Sequence, residues 1–184
     1  MNAAPEGREI VGESTGEPGS ESIDSEFVEI QQSDSLSCEY PSDDLLVQWA
    51  EAALESSGTG VDAGNCASLT IRVVDTDEIN ACNKQWRGKD KATNVLSFPA
   101  EFPPEAGVSY LGDIMVCADI LMRESEEQDK TLNDHWAHIV VHGVSHLRGF
   151  DHENTQDAEI MEKREKEILA TLGVADPYRY EINS

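Results

Sequence analysis

The sequence predicts an α+β fold, a single domain in which a small mixed sheet is covered by helices. Three observations carry that expectation. Short segments rich in β-branched residues alternate with segments of helical periodicity, and most of the helical segments begin and end at capping or breaking residues. The chain has 184 residues, 39% hydrophobic and 27% charged, which suffices for one core of ordinary size but not for two. No internal repeat is present.

Taken in order, FVEIQQ (27–32) alternates in polarity and predicts an edge strand, and PSDDLLVQWAEAALESSG (41–58) opens on a Ser42 cap signal and repeats apolar residues at helical spacing. SLTIRVVD (68–75) is a β-branched strand, NVLSFP (94–99) is a strand ended by Pro99, and YLGDIMVCA (110–118) is a third core strand. Helices are expected from Thr76 to about Trp86, Ala118 to about Gln128, Asn133 to about Arg148, and Thr155 to Leu172 with Gly173 as the stop. The run EKREKE (162–167) in the last of these reads as the solvated face of an amphipathic helix.

Charge separates the chain into two parts. The 37 acidic and 13 basic side chains give a net charge of −24, and residues 1–40 hold ten of the acidic residues but only one basic one, Arg8. With almost no large apolar side chain before Phe27, residues 1–25 are expected to be a disordered acidic tail and residues 26–184 the folded domain. Such a charge repels nucleic acid and anionic membrane at long range, so a polyanionic partner must meet a local basic site. The N-terminus lacks a basic region followed by an apolar one, and no stretch approaches the roughly 18 apolar residues of a membrane span. Cys38, Cys66, Cys82 and Cys117 form no CxxC pair and read as free thiols. Together these features predict a cytoplasmic protein with no membrane partner.

All five histidines fall within HWAHIVVHGVSHLRGFDH (135–152). On a helix over 133–147, Trp136, Val140, Gly143 and Leu147 share an inward face, while His135, His138, His142 and His146 share another that lines a cleft. His142 and His146 stand one turn apart, close enough for both rings to reach one ion at about 2.0–2.1 Å. Gly149 allows a left-handed turn out of the helix, and His152 then swings back as the third ligand. Three nitrogens leave a fourth tetrahedral position open, the pattern of a catalytic zinc. His135 and His138 lie farther from the turn and are expected to orient other groups or to lie on the surface. The spacing H-x3-H-x5-H also matches the long zinc-protease signature, but Gly143 stands where that chemistry needs a glutamate base. Asp151 and Glu153, beside the third ligand, are expected to cap a helix or hold a ligand by hydrogen bonding.

The segment NKQWRGKDKATNVLSFP (83–99) supplies the local basic site. It sets Lys84, Arg87, Lys89 and Lys91, four of the chain's 13 cations, within eight residues. Arg87 offers a planar fork suited to phosphate, and Trp86 can stack on a base. A solvated loop would have the same composition.

HGVSHLRGFDH (142–152), WRGKDKATNVLSFP (86–99), LGDIMVC (111–117) and HWAH (135–138) together resemble the YbeY family of metal-dependent endoribonucleases, over about residues 27–180. The resemblance implies a zincin-like single-domain fold, one zinc ion held by His142, His146 and His152, and Arg87 as the catalytic arginine of the cleft. It also implies single-stranded ribosomal RNA as substrate, with roles in maturing the 3′ end of 16S rRNA and in ribosome quality control, and small-subunit ribosomal proteins as partners. Two positions depart from the family pattern: Ser145 replaces a leucine, and Asn94 replaces the aspartate before VLSFP. Two rival readings remain at this point, a zinc hydrolase of another substrate class and a non-catalytic ribosome-assembly factor with a stabilising zinc.

Overall fold

A computed structural model describes residues 27–55, 67–102, 109–152 and 154–179. The acidic tail expected over 1–25, with the domain boundary behind it, lies outside the described residues. Four strands and five helices follow one another as β1 (Val28–Gln32), α1 (Asp43–Glu55), β2 (Ser68–Val74), α2 (Thr76–Arg87), β3 (Val95–Pro99), β4 (Tyr110–Cys117), α3 (Ala118–Glu127), α4 (Leu132–Leu147) and α5 (Thr155–Thr171). This is the α+β arrangement that the pattern predicts, and each predicted element is present.

The strands form one mixed sheet in the order β1-β2-β4-β3, with β1, β2 and β4 parallel and β3 antiparallel to β4. Central β2 and β4 bury residues on both faces, which is why they read as largely apolar runs, β2 rich in β-branched residues; β1 alternates because it is an edge. Ile71, Val73, Ile114 and Val116 point to one side, into a large core with α1 and α4. Val74, Leu96, Met115 and Cys117 point to the other, into a smaller core with Ile79 of α2.

Local chemistry sets the helix ends. Asp75 caps α2 by accepting from the Glu78 amide at 2.8 Å, and Gly88 closes it at φ 68°. Thr131 and Asn154 cap α4 and α5 in the same way, through the amides of Asp134 and Asp157. Arg148 and Arg164 donate to the last carbonyls of α1, at Ala53 and Leu54, and so tie the C-terminal end of α4 and the middle of α5 to that helix.

Helix α4 corrects one expectation. Instead of a single inward face it is buried around most of its circumference, because Ile139, Val141 and Val144 join Trp136, Val140 and Leu147 in the core. It packs against strands β3 and β4 and helices α1, α3 and α5, and at Gly143 it comes so near the sheet that a Cβ would lie 2.9 Å from Ile114 Cγ2. A second correction concerns EKREKE. Arg164 is 8% exposed and Glu165 is 0%, so the run is solvated on one side only. Among the described residues Cys38, Cys82 and Cys117 are free thiols, and no helix is long and apolar enough to cross a membrane.

Candidate metal centre and cleft

His142 and His146 lie in the last two turns of α4, with their Nε2 atoms 3.1 Å apart. The chain leaves the helix through Gly149 at φ 84°, whose amide donates to the His146 carbonyl at 2.9 Å while the Phe150 amide reaches the Ser145 carbonyl at 3.1 Å. This turn returns His152 to the other two rings, with centroids 5.7 Å from His142 and 5.1 Å from His146. One potential ligand atom from each of the three lies within 4.8 Å of the others. The Asp151 carboxylate accepts from the His152 amide at 2.7 Å, so it shapes the ligand loop. Glu153 lies outside the described residues.

The chemistry of this group fits a metal ion. Two facing Nε2 lone pairs at 3.1 Å repel each other unless a proton or cation lies between them. Their spacing is near the roughly 3.3 Å that two ligands span on a tetrahedral ion about 2.0–2.1 Å away. Burial lowers the His146 pKa, and the neighbouring His142 and His152 lower it further, which favours the neutral ring that binds metal. The carbonyl end of α4 adds a partial negative charge at the same place.

The other edge of His142 is held from α5. Its Nδ1 lies 2.9 Å from Glu165 Oε1, and because a carboxylate only accepts, Nδ1 carries the proton and Nε2 is left for a metal. Glu165 Oε2 accepts from the Tyr178 hydroxyl and lies 3.4 Å from His138 Nε2. Burial pushes the Glu165 carboxyl upward, but the hydrogen bonds of His138, His142 and Tyr178 and the charge of His142 outweigh it and hold the pKa at about 2. Burial likewise lowers the pKa of His138, against the pull of Glu165. His138 is therefore an orienting group, and His135, 3% exposed, pairs with Glu124 at 2.9 Å in the interior. His138 is partly exposed and His135 buried, and neither is among the three clustered ligand atoms. Glu165 and Tyr178 were not legible as site residues, although Met161, Glu165, Ile168 and Leu169 mark one stripe of α5, and a glutamate on such a stripe signals a buried partner.

A cleft of about 580 Å³ is lined by the three imidazoles together with Arg87, Asn94, Ser97 and Pro99. Arg87 is the last residue of α2 and donates from Nη2 to the Ser97 carbonyl at 3.4 Å, so the guanidinium is steered toward the cleft. The loop that follows is built rather than loose. Asn83, 4% exposed, donates to the Lys91 carbonyl at 2.6 Å, and Lys84 pairs with Asp90 at 2.6 Å. Lys84 is thus partly neutralised, while Lys89 and Lys91 are exposed. Trp86 is 66% exposed and meets Phe98 edge-on at 6.4 Å between centroids.

Both departures from the family pattern have a local account. Asn94 donates from Nδ2 to Glu124 Oε2 at 3.2 Å, where an aspartate would set two carboxylates against each other. Burial raises the Glu124 pKa, but the hydrogen bonds of His135 and Asn94 and the charges of His135 and Arg123 bring it below the ordinary value. Ser145 satisfies its buried hydroxyl on the Val141 carbonyl at 2.8 Å, one turn back in the same helix.

Comparison with known proteins places the chain in a family. The family model described as Endoribonuclease YbeY matches residues 29–173. An endoribonuclease YbeY of Halorhodospira halophila is 48% identical over 142 residues, covering 76% of this chain and 88% of that protein. Its counterpart from Cellvibrio japonicus is 45% identical over 144 residues, covering 78% of each. A solution structure of a Thermotoga maritima protein, TM1509, shares 25% identity over 82% of this chain and 98% of that one, with a TM-score of 0.49. On the family match and on these two relatives, the chain belongs to the YbeY endoribonuclease family.

Proposed function

We propose that this chain is a zinc-dependent, single-strand-specific endoribonuclease acting on ribosomal RNA, its enzymatic domain spanning residues 26–184 behind an acidic tail of residues 1–25. The observation that carries the reading is that Arg87 and the three clustered imidazoles line one cleft, in a chain whose relatives are named endoribonucleases. His142, His146 and His152 would hold the ion, which when bound supplies a Lewis acid able to polarise a phosphoryl oxygen or acidify a water molecule.

The chain's own groups do the rest. Glu165 fixes the ring of His142, and the α4 backbone fixes the spacing of His142 and His146. Arg87 grips the scissile phosphate with its planar fork and offsets the charge that develops there. Lys89 and Lys91 supply further positive charge along the same loop, and Trp86 offers a face for an unstacked base, which suits a single strand. The glycine at position 143 removes the general base of a peptidase, so a phosphodiester is the better substrate. The same reading takes maturation of the 3′ end of 16S rRNA and ribosome quality control in the cytoplasm as the setting, with small-subunit ribosomal proteins as partners.

Metal analysis of the purified protein, followed by cleavage of single-stranded RNA by the wild type, His146→Ala and Arg87→Glu, tests the proposal. Zinc near one equivalent and loss of cleavage in both variants are expected. Cleavage unchanged in both would trace the activity to a contaminating nuclease and overturn it.

A further inference from the structure

Tyr178 lies beyond residue 173, where the family match ends, yet its hydroxyl donates to the buried carboxylate that holds His142. The turn that carries it is anchored on several sides. Lys166 lies 4.9 Å above the Tyr178 ring and 3.8 Å from Asp176, Lys130 donates to the Pro177 carbonyl at 3.2 Å, and the Tyr178 ring meets His138 edge-on at 5.4 Å. Glu165, 0% exposed, therefore has both oxygens engaged, Oε1 by His142 Nδ1 and Oε2 by Tyr178, with His138 Nε2 3.4 Å from Oε2 and 3.3 Å from the Tyr178 oxygen. His138 Nδ1 is buried with no hydrogen-bond partner, so the ring spends its one proton at Nε2 on this cluster.

We propose that Glu165 and Tyr178 are positioning residues of the metal centre: the carboxylate holds His142 as an Nε2 ligand, and the tyrosine hydroxyl holds the carboxylate. The inference rests on the metal-centre reading above and deepens it, because it makes a C-terminal turn outside the matched family region part of the site. Tyr178 and His138 both face Oε2, so losing the tyrosine hydroxyl leaves that oxygen with only the 3.4 Å contact of His138, and the carboxylate is freer to rotate away from the imidazole edge. Removing such orienting partners generally weakens metal affinity by roughly 10–100-fold without removing a ligand.

The test is zinc affinity, measured on the full chain by competition with a chromophoric chelator, beside thermal melting of the metal-free protein. Tyr178→Phe keeps the ring and its packing and loses only the hydroxyl; Glu165→Gln keeps the shape of the side chain and loses the charge. Glu165→Gln is expected to bind zinc roughly 10–100-fold more weakly. Tyr178→Phe, acting through Glu165, is expected to lose at least about threefold on its own and nothing further in the Glu165→Gln background. A solely structural role would lower the metal-free melting temperature and leave affinity unchanged. Wild-type affinity in Tyr178→Phe, or losses that add in the double variant, would overturn the inference. His146→Ala separates the two levels of reading: if wild type binds zinc and His146→Ala does not, the metal centre stands whatever Tyr178 does. If wild type itself binds none, both fall.

Discussion

Replacing Gly143 by alanine probes the contact that decides both the seat of α4 and the absence of a protease base. A Cβ at that position would lie 2.9 Å from Ile114 Cγ2 and 3.1 Å from Cδ1, and Ile114 is 0% exposed in the middle of the sheet. Helix propensity alone favours alanine over glycine by about 1 kcal/mol. Overpacking a filled core costs about 1–3 kcal/mol, and here the neighbour is walled in on the sheet, so the upper half of that range applies. The net expectation is a loss of about 1–2 kcal/mol, or a fall in Tm of roughly 2–8 °C for a domain of this size. Urea and thermal unfolding of Gly143→Ala read it directly, and Ile114→Val, which removes Cδ1, should relieve part of the loss in the double variant. Gly143→Glu would restore the H-E-x-x-H pattern, but the larger, charged side chain would meet the same wall, so the expected product is unfolded protein rather than a peptidase. Stabilisation of Gly143→Ala by about 1 kcal/mol would refute the close approach, since only the propensity term would then be acting.

Gly112 holds φ 131°, and a Cβ there would lie 2.1 Å from the Phe98 carbonyl oxygen on the neighbouring strand, so Gly112→Ala should cost roughly 3 kcal/mol or more and be seen as failed expression or early urea unfolding. Arg87→Lys keeps the charge but loses the fork; with charge-assisted hydrogen bonds worth about 1.5–3 kcal/mol, RNA cleavage should fall roughly 10–100-fold with an unchanged circular dichroism spectrum. Zinc at roughly 100 times its dissociation constant should stabilise the wild type by about 2.7 kcal/mol in thermal melts, and His152→Ala should show little of that gain. The hydrogen bond from Ser35, with the Glu78 amide, holds the Asp75 carboxyl below its ordinary value near 3.8. A depressed folded-state pKa stabilises at pH above the ordinary value and stops doing so as pH falls through the depressed one, so the deficit of Ser35→Ala should be present at pH 7 and disappear as acid protonates the Asp75 carboxylate. A deficit independent of pH would show that the carboxylate is not involved.

Elements of the fold whose causes are local were legible in the sequence. Helices expected from Thr76, Asn133 and Thr155 start at Thr76, Leu132 and Thr155, the last stops before Gly173 as expected, and the β-branched run of β2 and the apolar run of β4 are core strands. The three clustered imidazoles were legible for the same reason: one helical turn and one glycine turn set their spacing, with no help from distant chain. What orients them was not. Glu165 comes from another helix and Tyr178 from the turn beyond it, and in a run such as EKREKE a buried charge and a solvated one look alike until the packing of α5 on α4 is known. The burial of α4 had a signal, since Ile139, Val140, Val141 and Val144 cover more than one face, but four histidines at helical spacing suggested an amphipathic surface instead.

The histidine centre and the net charge impose opposite demands, and the fold satisfies them at different distances. A chain of −24 raises the cost of bringing a polyanion near, yet at physiological ionic strength charges more than about 8 Å apart are largely screened. Within that range of the phosphate, the groups that matter are the ones the cleft presents. Arg87 is steered there by the Ser97 carbonyl, and Gly88 and Asn83 fix the loop that carries Lys89 and Lys91 beside it. Among the described residues, three acidic groups of this region are engaged internally. Glu165 is engaged at both oxygens, Glu124 holds Asn94 and His135, and Asp151 accepts from its own loop. A carboxylate so engaged presents less of its charge to an incoming phosphate, because donors already occupy the directions from which it would repel. The hydrogen bonds that orient the imidazoles therefore also reduce the negative charge presented at the cleft, which helps an acidic protein keep a local site for an anionic substrate.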